Sequence, residues 1–266
     1  MPCLYTGKDI TIAVLDTGID ATHPELKGKI SAAYTFDVDQ GKVRSMNPSQ
    51  DTEGHGTHVA GLICGQQVGV APAVNLISGV MLPGGFGEIS DFILALAWVG
   101  KQAEVSIVNL SAGIPGYLAD MENEIQSLLS AGVLPVCAVG NEGRDRTRSP
   151  GNYRDVVSVG ATNRQNRVAG FSGSGILNPD NHQYSVPRLV APGQDVYSSV
   201  QGGGYQDWQG TSMATPIISG IAALILEEYP TMTVLELREE LFARCQLLQQ
   251  PRDRQGYGLI QVSYET

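Results

Sequence analysis

Three residues of this 266-residue chain have the types and settings that nucleophilic catalysis needs. Ser212 stands in Gly210-Thr211-Ser212-Met213-Ala214-Thr215-Pro216, just ahead of an apolar run over 217–226 in which Ser219, Gly220, Ala222 and Ala223 are spaced. The run predicts a buried helix with Ser212 in its first turn, where unpaired N–H groups and the positive end of the helix dipole favour a nascent anion. A serine hydroxyl needs a base to become a nucleophile, and the base needs an orienting group. Taken alone, Ser212 reads equally well as the cap of a core helix. His55, in Glu53-Gly54-His55-Gly56-Thr57-His58, is the candidate base. Thr57 is expected to cap a helix over 58–66, which leaves His55 just ahead of its first turn, and Gly54 and Gly56 leave the ring accessible. Asp16 is the candidate orienting group. It closes the β-branched run over 10–15, read as a buried parallel strand, at the carboxyl end where α/β sheets carry their sites; the competing reading is a turn made with Gly18.

The elements that must position these residues alternate along the chain. Strands are expected over 75–81, 105–110, 134–139 and 156–161, with helices over 90–102 and 121–131. Residues 35–52 are polar without a clear period and read as a surface loop. Strands separated by helices of this length predict an α/β fold, a doubly wound, mostly parallel β-sheet flanked by helices on both faces. No internal repeat, low-complexity tract or linker interrupts the chain, so a single domain over 1–266 is expected.

Composition narrows the function. A formal charge of -10 argues against nucleic acid or an anionic membrane as partner. No basic segment followed by an apolar one opens the chain, so no signal peptide is expected, and the apolar run over 217–226 is too short to span a bilayer. Cys3, Cys64, Cys137 and Cys245 are far apart and form no CxxC; Cys64, Cys137 and Cys245 sit in apolar surroundings. Buried free thiols are expected, which favours a reducing compartment. His55 and His58 three apart lack an HExxH pattern and a third ligand, so no metal or other cofactor is expected. His23, His58 and His182 are read as structural.

Asp, His and Ser, in this chain order and each at the end of an element, form the triad order of subtilisin. Asp16-Thr17-Gly18-Ile19-Asp20 with His23-Pro24, then His55-Gly56-Thr57-His58-Val59-Ala60-Gly61, then Gly210 to Pro216 resemble the three signature blocks of the subtilisin-like serine proteases. The similarity continues through Gly69-Val70-Ala71-Pro72, Asn109-Leu110-Ser111, Gly140-Asn141-Glu142-Gly143, Phe171-Ser172 and Ala191-Pro192-Gly193. The resemblance implies a subtilisin-like fold and a serine endopeptidase acting through an acyl-enzyme. Ser212 would be the nucleophile, His55 the general base and acid, Asp16 its orienting partner, and Asn141 with the Ser212 N–H the oxyanion-hole donors. It also implies a polypeptide substrate held extended between segments that resemble the family's edge strands, Gly85-Phe86-Gly87 and Ser111-Ala112-Gly113, with Ile89 and Phe92 as apolar lining. Walls of the primary specificity pocket would come from Ser111 to Gly113 and from Ala138, Gly140 and Asn141. Arg148 would lie nearest its base, on one side of an extended Arg144-Asp145-Arg146-Thr147-Arg148, and would favour an acidic side chain before the cut. An aliphatic or aromatic preference, with the arginines turned to solvent, is the alternative.

Three departures from the family pattern stand out. Fifteen residues precede Asp16, so the usual N-terminal segment and an inhibitory prosegment are expected to be absent. The short stretch from Cys64 to Gly69 leaves no room for the family's calcium-binding loop, although Asp37 and Asp39 offer a weak separate site. Residues 174–189 are longer than their usual counterpart and suit a specificity or partner loop, or mere surface decoration. A degradative and a processing role both remain compatible with the scaffold. The intact Asp16, His55, Ser212 and Asn141 argue against a catalytically dead binding module, and the Asp16–His55 interval shows no long inserted helical segment that would shield an acyl-enzyme from water for acyl transfer.

Overall fold

In the computed structural model, which describes residues 5–262 apart from the Asp180 side chain, the β-branched runs become one sheet. In chain order its strands are β1 (Thr11–Asp16), β2 (Ile30–Asp37), β3 (Lys42–Ser45), β4 (Asn75–Val80), β5 (Ile107–Leu110), β6 (Leu134–Ala138), β7 (Val157–Thr162), β8 (Leu189–Pro192), β9 (Cys245–Gln246) and β10 (Leu259–Ile260). Their spatial order is β9-β10-β8-β7-β6-β5-β1-β4-β2-β3. All pairings are parallel except β3 on β2 and β9 on β10, which close the two edges. Strands β1, β5, β6 and β7 are buried at every position, as parallel strands covered on both faces must be.

The two-residue alternation of a strand divides the core into two layers. Ile12 and Val14 of β1 face a layer that holds α1 (His55–Cys64), and in the same layer lie α4 (Thr211–Glu228) and α5 (Val234–Ala243). Ala13 and Leu15 face the other layer, built with α2 (Ile89–Val99) and α3 (Glu122–Ser130). This is the expected doubly wound architecture in a single domain. Strand β1 lies between β4 and β5, where the chain passes from one half of the sheet to the other. That switch point is where α/β sheets open a crevice at the carboxyl ends of their strands.

Several expectations are corrected. Residues 35–52 are not a structureless loop: β2 and β3 form a hairpin there. Strand β2 is mostly half-buried, with Ala32, Tyr34 and Phe36 against the second core layer, and begins ahead of the polar stretch. Strand β3 at the sheet edge is exposed and carries Lys42 and Arg44, so it shows no apolar period. Helix α1 begins at His55, three residues early, and Thr57 lies inside its first turn instead of capping it. Residues 174–189 fold as a hairpin of Gly175–Leu177 and Tyr184–Val186. Cys64 and Cys137 are buried free thiols, and burial pushes the Cys64 thiol up to about 12. Cys3 lies outside the described residues. Among those residues, no helix is long and apolar enough to cross a membrane.

Candidate active site

Asp16 ends β1 with its side chain fully buried. Its Oδ1 accepts from the Thr17 N–H at 2.7 Å and lies 2.7 Å from His55 Nδ1. The approach depends on Gly56: a Cβ there would lie 2.0 Å from the Gly18 carbonyl oxygen and 3.2 Å from Asp16 Cβ. Glycine at 56 therefore does more than clear access to the ring; it lets the first turn of α1 press against the chain leaving β1. Asp51, not singled out from sequence, anchors that turn. Its carboxylate accepts from the Gly54 and Thr57 N–H groups, both at 2.8 Å, and from the hydroxyls of Thr17 and Thr57. Asp51 stands three residues before the Gly54 cap position, so no cap rule finds it, while Thr57 looks in the sequence like the cap of a later start.

Burial alone would lower the His55 pKa; the Asp16 carboxylate, with Glu53 and Asp51 further out, outweighs it and holds the ring above the ordinary histidine value. Trp208 stands beside this ring at 6.3 Å between centroids and stacks on His58 at 4.5 Å, 2° from parallel. Nothing in the sequence points to Trp208. His58 is fully buried with Nε2 3.1 Å from the Gln206 carbonyl, and His23 is buried against the Gly204 carbonyl, so both are structural. His182 is exposed in the 174–189 hairpin.

Ser212 is the second residue of α4, after Gly210 at φ 154° and ψ 160°, a conformation nearly confined to glycine. A Cβ at residue 210 would stand 3.4 Å from Asn141 Nδ2 and 3.6 Å from the Ser212 backbone nitrogen. Two N–H donors thus flank a point that only a glycine leaves open. Asn141 is oriented by Thr211, whose N–H and hydroxyl both donate to its Oδ1 at 2.8 and 3.0 Å, leaving the amide N–H groups unspent. The Ser212 hydroxyl donates to the Ser111 carbonyl at 2.9 Å and not to His55. His55, Asn141, Ser212, Trp208 and Met213 line one open cavity of about 530 Å³.

The expected substrate segments sit less regularly. Gly85 ends a short 3₁₀ turn, Phe86 projects at 83 % exposure, and neither Gly85–Gly87 nor Ser111–Gly113 belongs to a strand, so "edge strand" is corrected to turn and loop backbone. Ile89, at the start of α2, is partly buried. Phe92 is 2 % exposed within the second core layer and is corrected from a lining residue to a core residue. Ala112 is half-buried beside the same layer, and Ala138 closes β6.

Arg148 does lie between the two segments expected to wall the specificity pocket. Its Cβ would be 2.9 Å from a Cβ at Gly113, and its Cγ 3.1 Å from one at Gly140. The guanidinium donates to the Gly113 carbonyl through Nη1 at 2.8 Å, and to Glu142 Oε1 through Nε at 2.8 Å and through Nη2. Burial would raise the Glu142 pKa, but Arg148 beside it holds the carboxyl below the usual range. The three arginines do not share one side. Asp145 at φ 61° turns the chain, sending Arg144 to an ion pair with Asp253 at 2.7 Å and leaving Arg146 exposed.

The loop after α1 does not fit a calcium ion. Its Gln67 and Val68 N–H groups point at the buried Glu25 carboxylate at 2.8 and 3.4 Å, so the loop is folded around an anion, whereas calcium needs oxygen donors. Asp37 pairs with Arg44 at 2.8 Å in the β2–β3 hairpin.

Comparison with known proteins agrees with this architecture. The family profile described as the subtilase family (Peptidase_S8) matches residues 7–258. The chain is 36 % identical over 274 residues to the intracellular serine protease of Paenibacillus polymyxa, covering 97 % of this chain and 80 % of that one. It is 34 % identical over 247 residues to subtilisin E of Bacillus subtilis (strain 168), covering 89 % of this chain and spanning 60 % of the length of that relative. Among solved structures, sphericase superposes with a TM-score of 0.88 at 30 % identity, covering 99 % of this chain and 94 % of its own. A cold-adapted subtilisin-like serine proteinase gives 0.79 at 31 %, covering 97 % and 89 %. The chain belongs to the subtilase family, the subtilisin-like serine proteases.

Proposed function

We propose that the chain is a serine endopeptidase that hydrolyses peptide bonds through an acyl-enzyme. The observation that carries this reading is the 2.7 Å contact between Asp16 Oδ1 and His55 Nδ1 beside a cavity that His55 shares with Ser212 and Asn141. Asp16 fixes the tautomer with the proton on Nδ1, leaving Nε2 as the base. Rotation of the Ser212 hydroxyl from the Ser111 carbonyl towards Nε2 completes the relay; such bonds are often unmade before substrate binds. Ser212 Oγ attacks the scissile carbonyl while His55 takes its proton, and the Asn141 amide and the Ser212 N–H receive the developing oxyanion. His55 then protonates the departing amine, and water repeats the sequence to free the acid.

The polypeptide lies extended, pairing its backbone with Gly85–Gly87 on one side and Ser111–Gly113 on the other. The residue before the cut enters between Ser111–Gly113 and Ala138–Asn141 and meets Arg148. Because Glu142 already holds that guanidinium, the pocket base is polar but nearly neutral, and an acidic residue gains only the N–H groups Glu142 leaves free. A fluorophosphonate that labels active serine hydrolases tests the reading: mass spectrometry should find the adduct on Ser212 and on no other residue. No adduct, or one elsewhere, would refute it.

A further inference from the structure

A polar relay runs through the sheet just behind the proposed nucleophile. Asn109 lies within β5, between Val14 of β1 and Val136 of β6, in the otherwise apolar run Ile107–Leu110, and is fully buried. A buried amide in such a place is costly unless both its ends are bonded. Here both are: Oδ1 accepts from the Ser219 hydroxyl at 2.9 Å, and Nδ2 donates to the Ser111 hydroxyl at 3.1 Å. The Ser111 hydroxyl in turn donates to the Ser212 carbonyl oxygen at 2.9 Å.

That last bond answers a vacancy in α4. The Ser212 carbonyl would ordinarily accept from the N–H four residues on, but residue 216 is proline and has none. Proline at 216 therefore turns the Ser212 carbonyl out of the helical ladder, and the Ser111 side chain takes it. The other flank of the same turn is held by Asn141 through Thr211. We infer that Ser219, Asn109 and the Ser111 side chain form a positioning relay that fixes the backbone of Ser212, and with it the direction of its Oγ and of its N–H. The inference rests on reading Ser212 as the nucleophile. None of the three side chains is placed on substrate; the Ser111 backbone, which is, stays intact when its side chain is cut.

Ser111→Ala leaves the Ser212 carbonyl without a donor, and a nucleophile displaced by a fraction of an ångström loses about 10- to 100-fold in rate. The experiment compares wild type, Ser111→Ala, Ser219→Ala and the double variant. It measures kcat and KM on a peptide substrate and the rate of labelling by a small fluorophosphonate, well below each variant's melting temperature. Ser111→Ala should lower kcat and labelling by about tenfold or more with KM within about twofold. Ser219→Ala should lower kcat less, and the double variant no further than Ser111→Ala alone, as expected for coupled residues. An unchanged kcat in Ser111→Ala, a change confined to KM, or additive losses in the double variant would overturn the relay. Should Ser111→Ala fail to fold, Ser219→Ala decides: a kcat equal to wild type overturns it. A wild-type chain that takes up no label is a separate result, and it sinks the protease reading itself.

Discussion

Acidification should reveal what it costs to keep His58 neutral. The ring is fully buried, stacked on Trp208 at 4.5 Å, with one nitrogen facing the Gln206 carbonyl. Burial, reinforced by nearby His55, pushes its pKa from 6.5 down to about 4. Between those values the unfolded chain binds a proton that the folded one refuses, so stability falls as the pH drops through the window. At about 1.4 kcal/mol per pH unit, the gap amounts to about 2 kcal/mol lost by pH 5 and about 3 kcal/mol by pH 4. His55 acts with the opposite sign. Its folded pKa is raised, so its contribution is complete below 6.5 and is lost as the pH rises through the raised value. Urea unfolding at pH 7, 5 and 4 separates the two when Ser212→Ala, chosen to remove the proposed nucleophile and with it self-digestion, is compared with Ser212→Ala carrying His58→Phe. Phenylalanine keeps the stack on Trp208 and cannot titrate; its lost bond to Gln206 is a constant offset. The protein that retains His58 should lose about 3 kcal/mol more between pH 7 and pH 4 than the one carrying His58→Phe. Parallel pH curves would refute the argument, because they would mean that the folded state takes the proton without penalty.

Four further outcomes are expected. Ser212→Ala should abolish peptide hydrolysis while leaving the unfolding midpoint in urea unchanged within error, since only one oxygen is removed; wild-type turnover in the purified variant would end the assignment. With the neutral His55 ring as the proposed base, the rate of acylation should rise with pH through a midpoint above 6.5, and Asp16→Asn should shift that midpoint down as well as slow the reaction. Glu142→Gln should unmask Arg148 and raise the preference for Glu over Leu before the scissile bond by about tenfold, the scale of one charged hydrogen bond; Arg148→Ala should remove that gain, and a Leu or Phe preference identical in all three proteins would exclude a role for Arg148. The melting temperature should be equal in chelator and in millimolar calcium, while Glu25→Ala should lower it by several degrees through the orphaned N–H groups of Gln67 and Val68; a calcium-dependent rise would contradict the fit drawn for that loop.

The legible parts of this chain are those where one local rule dominates. Runs such as Thr11–Asp16 and Leu134–Ala138 are buried on both faces, so their composition alone marks them as parallel strands, and the residues that end them fall at the crevice. The β2–β3 hairpin is illegible because β3, the edge strand exposed to water, leaves no apolar period, although Ala32, Tyr34 and Phe36 of β2 do alternate. The start of α1 reads three residues late because Thr57 looks like a cap, while the capping oxygens come from Asp51, reached through a turn that sequence does not display. The family resemblance brings Arg148 near Gly113 and Gly140, where the structure has it, but does not reveal its partner. The direction of a long side chain is set by contacts with Gly113 and Glu142 that no spacing encodes. Phe92 fails for a simpler reason: an aromatic ring near a cleft in sequence is still more often part of the core.

The residues least explicable locally converge on Ser212. Asparagine in the middle of a central strand is unfavourable, proline inside a helix forfeits a hydrogen bond, and residue 210 adopts a backbone conformation open to little but glycine. Each departure costs stability where it stands, and each is offset only by another element of the same cluster. The Pro216 vacancy accepts the Ser111 hydroxyl, that hydroxyl satisfies Asn109, and the opening at Gly210 lies between Asn141 and the Ser212 N–H. Advancing α4 by one residue relative to β5 would break all three compensations at once, leaving a buried amide, a buried carbonyl and a blocked opening. Strict register between β5 and α4 is therefore what this arrangement selects for, and that register sets where the hydroxyl of Ser212 can stand relative to His55.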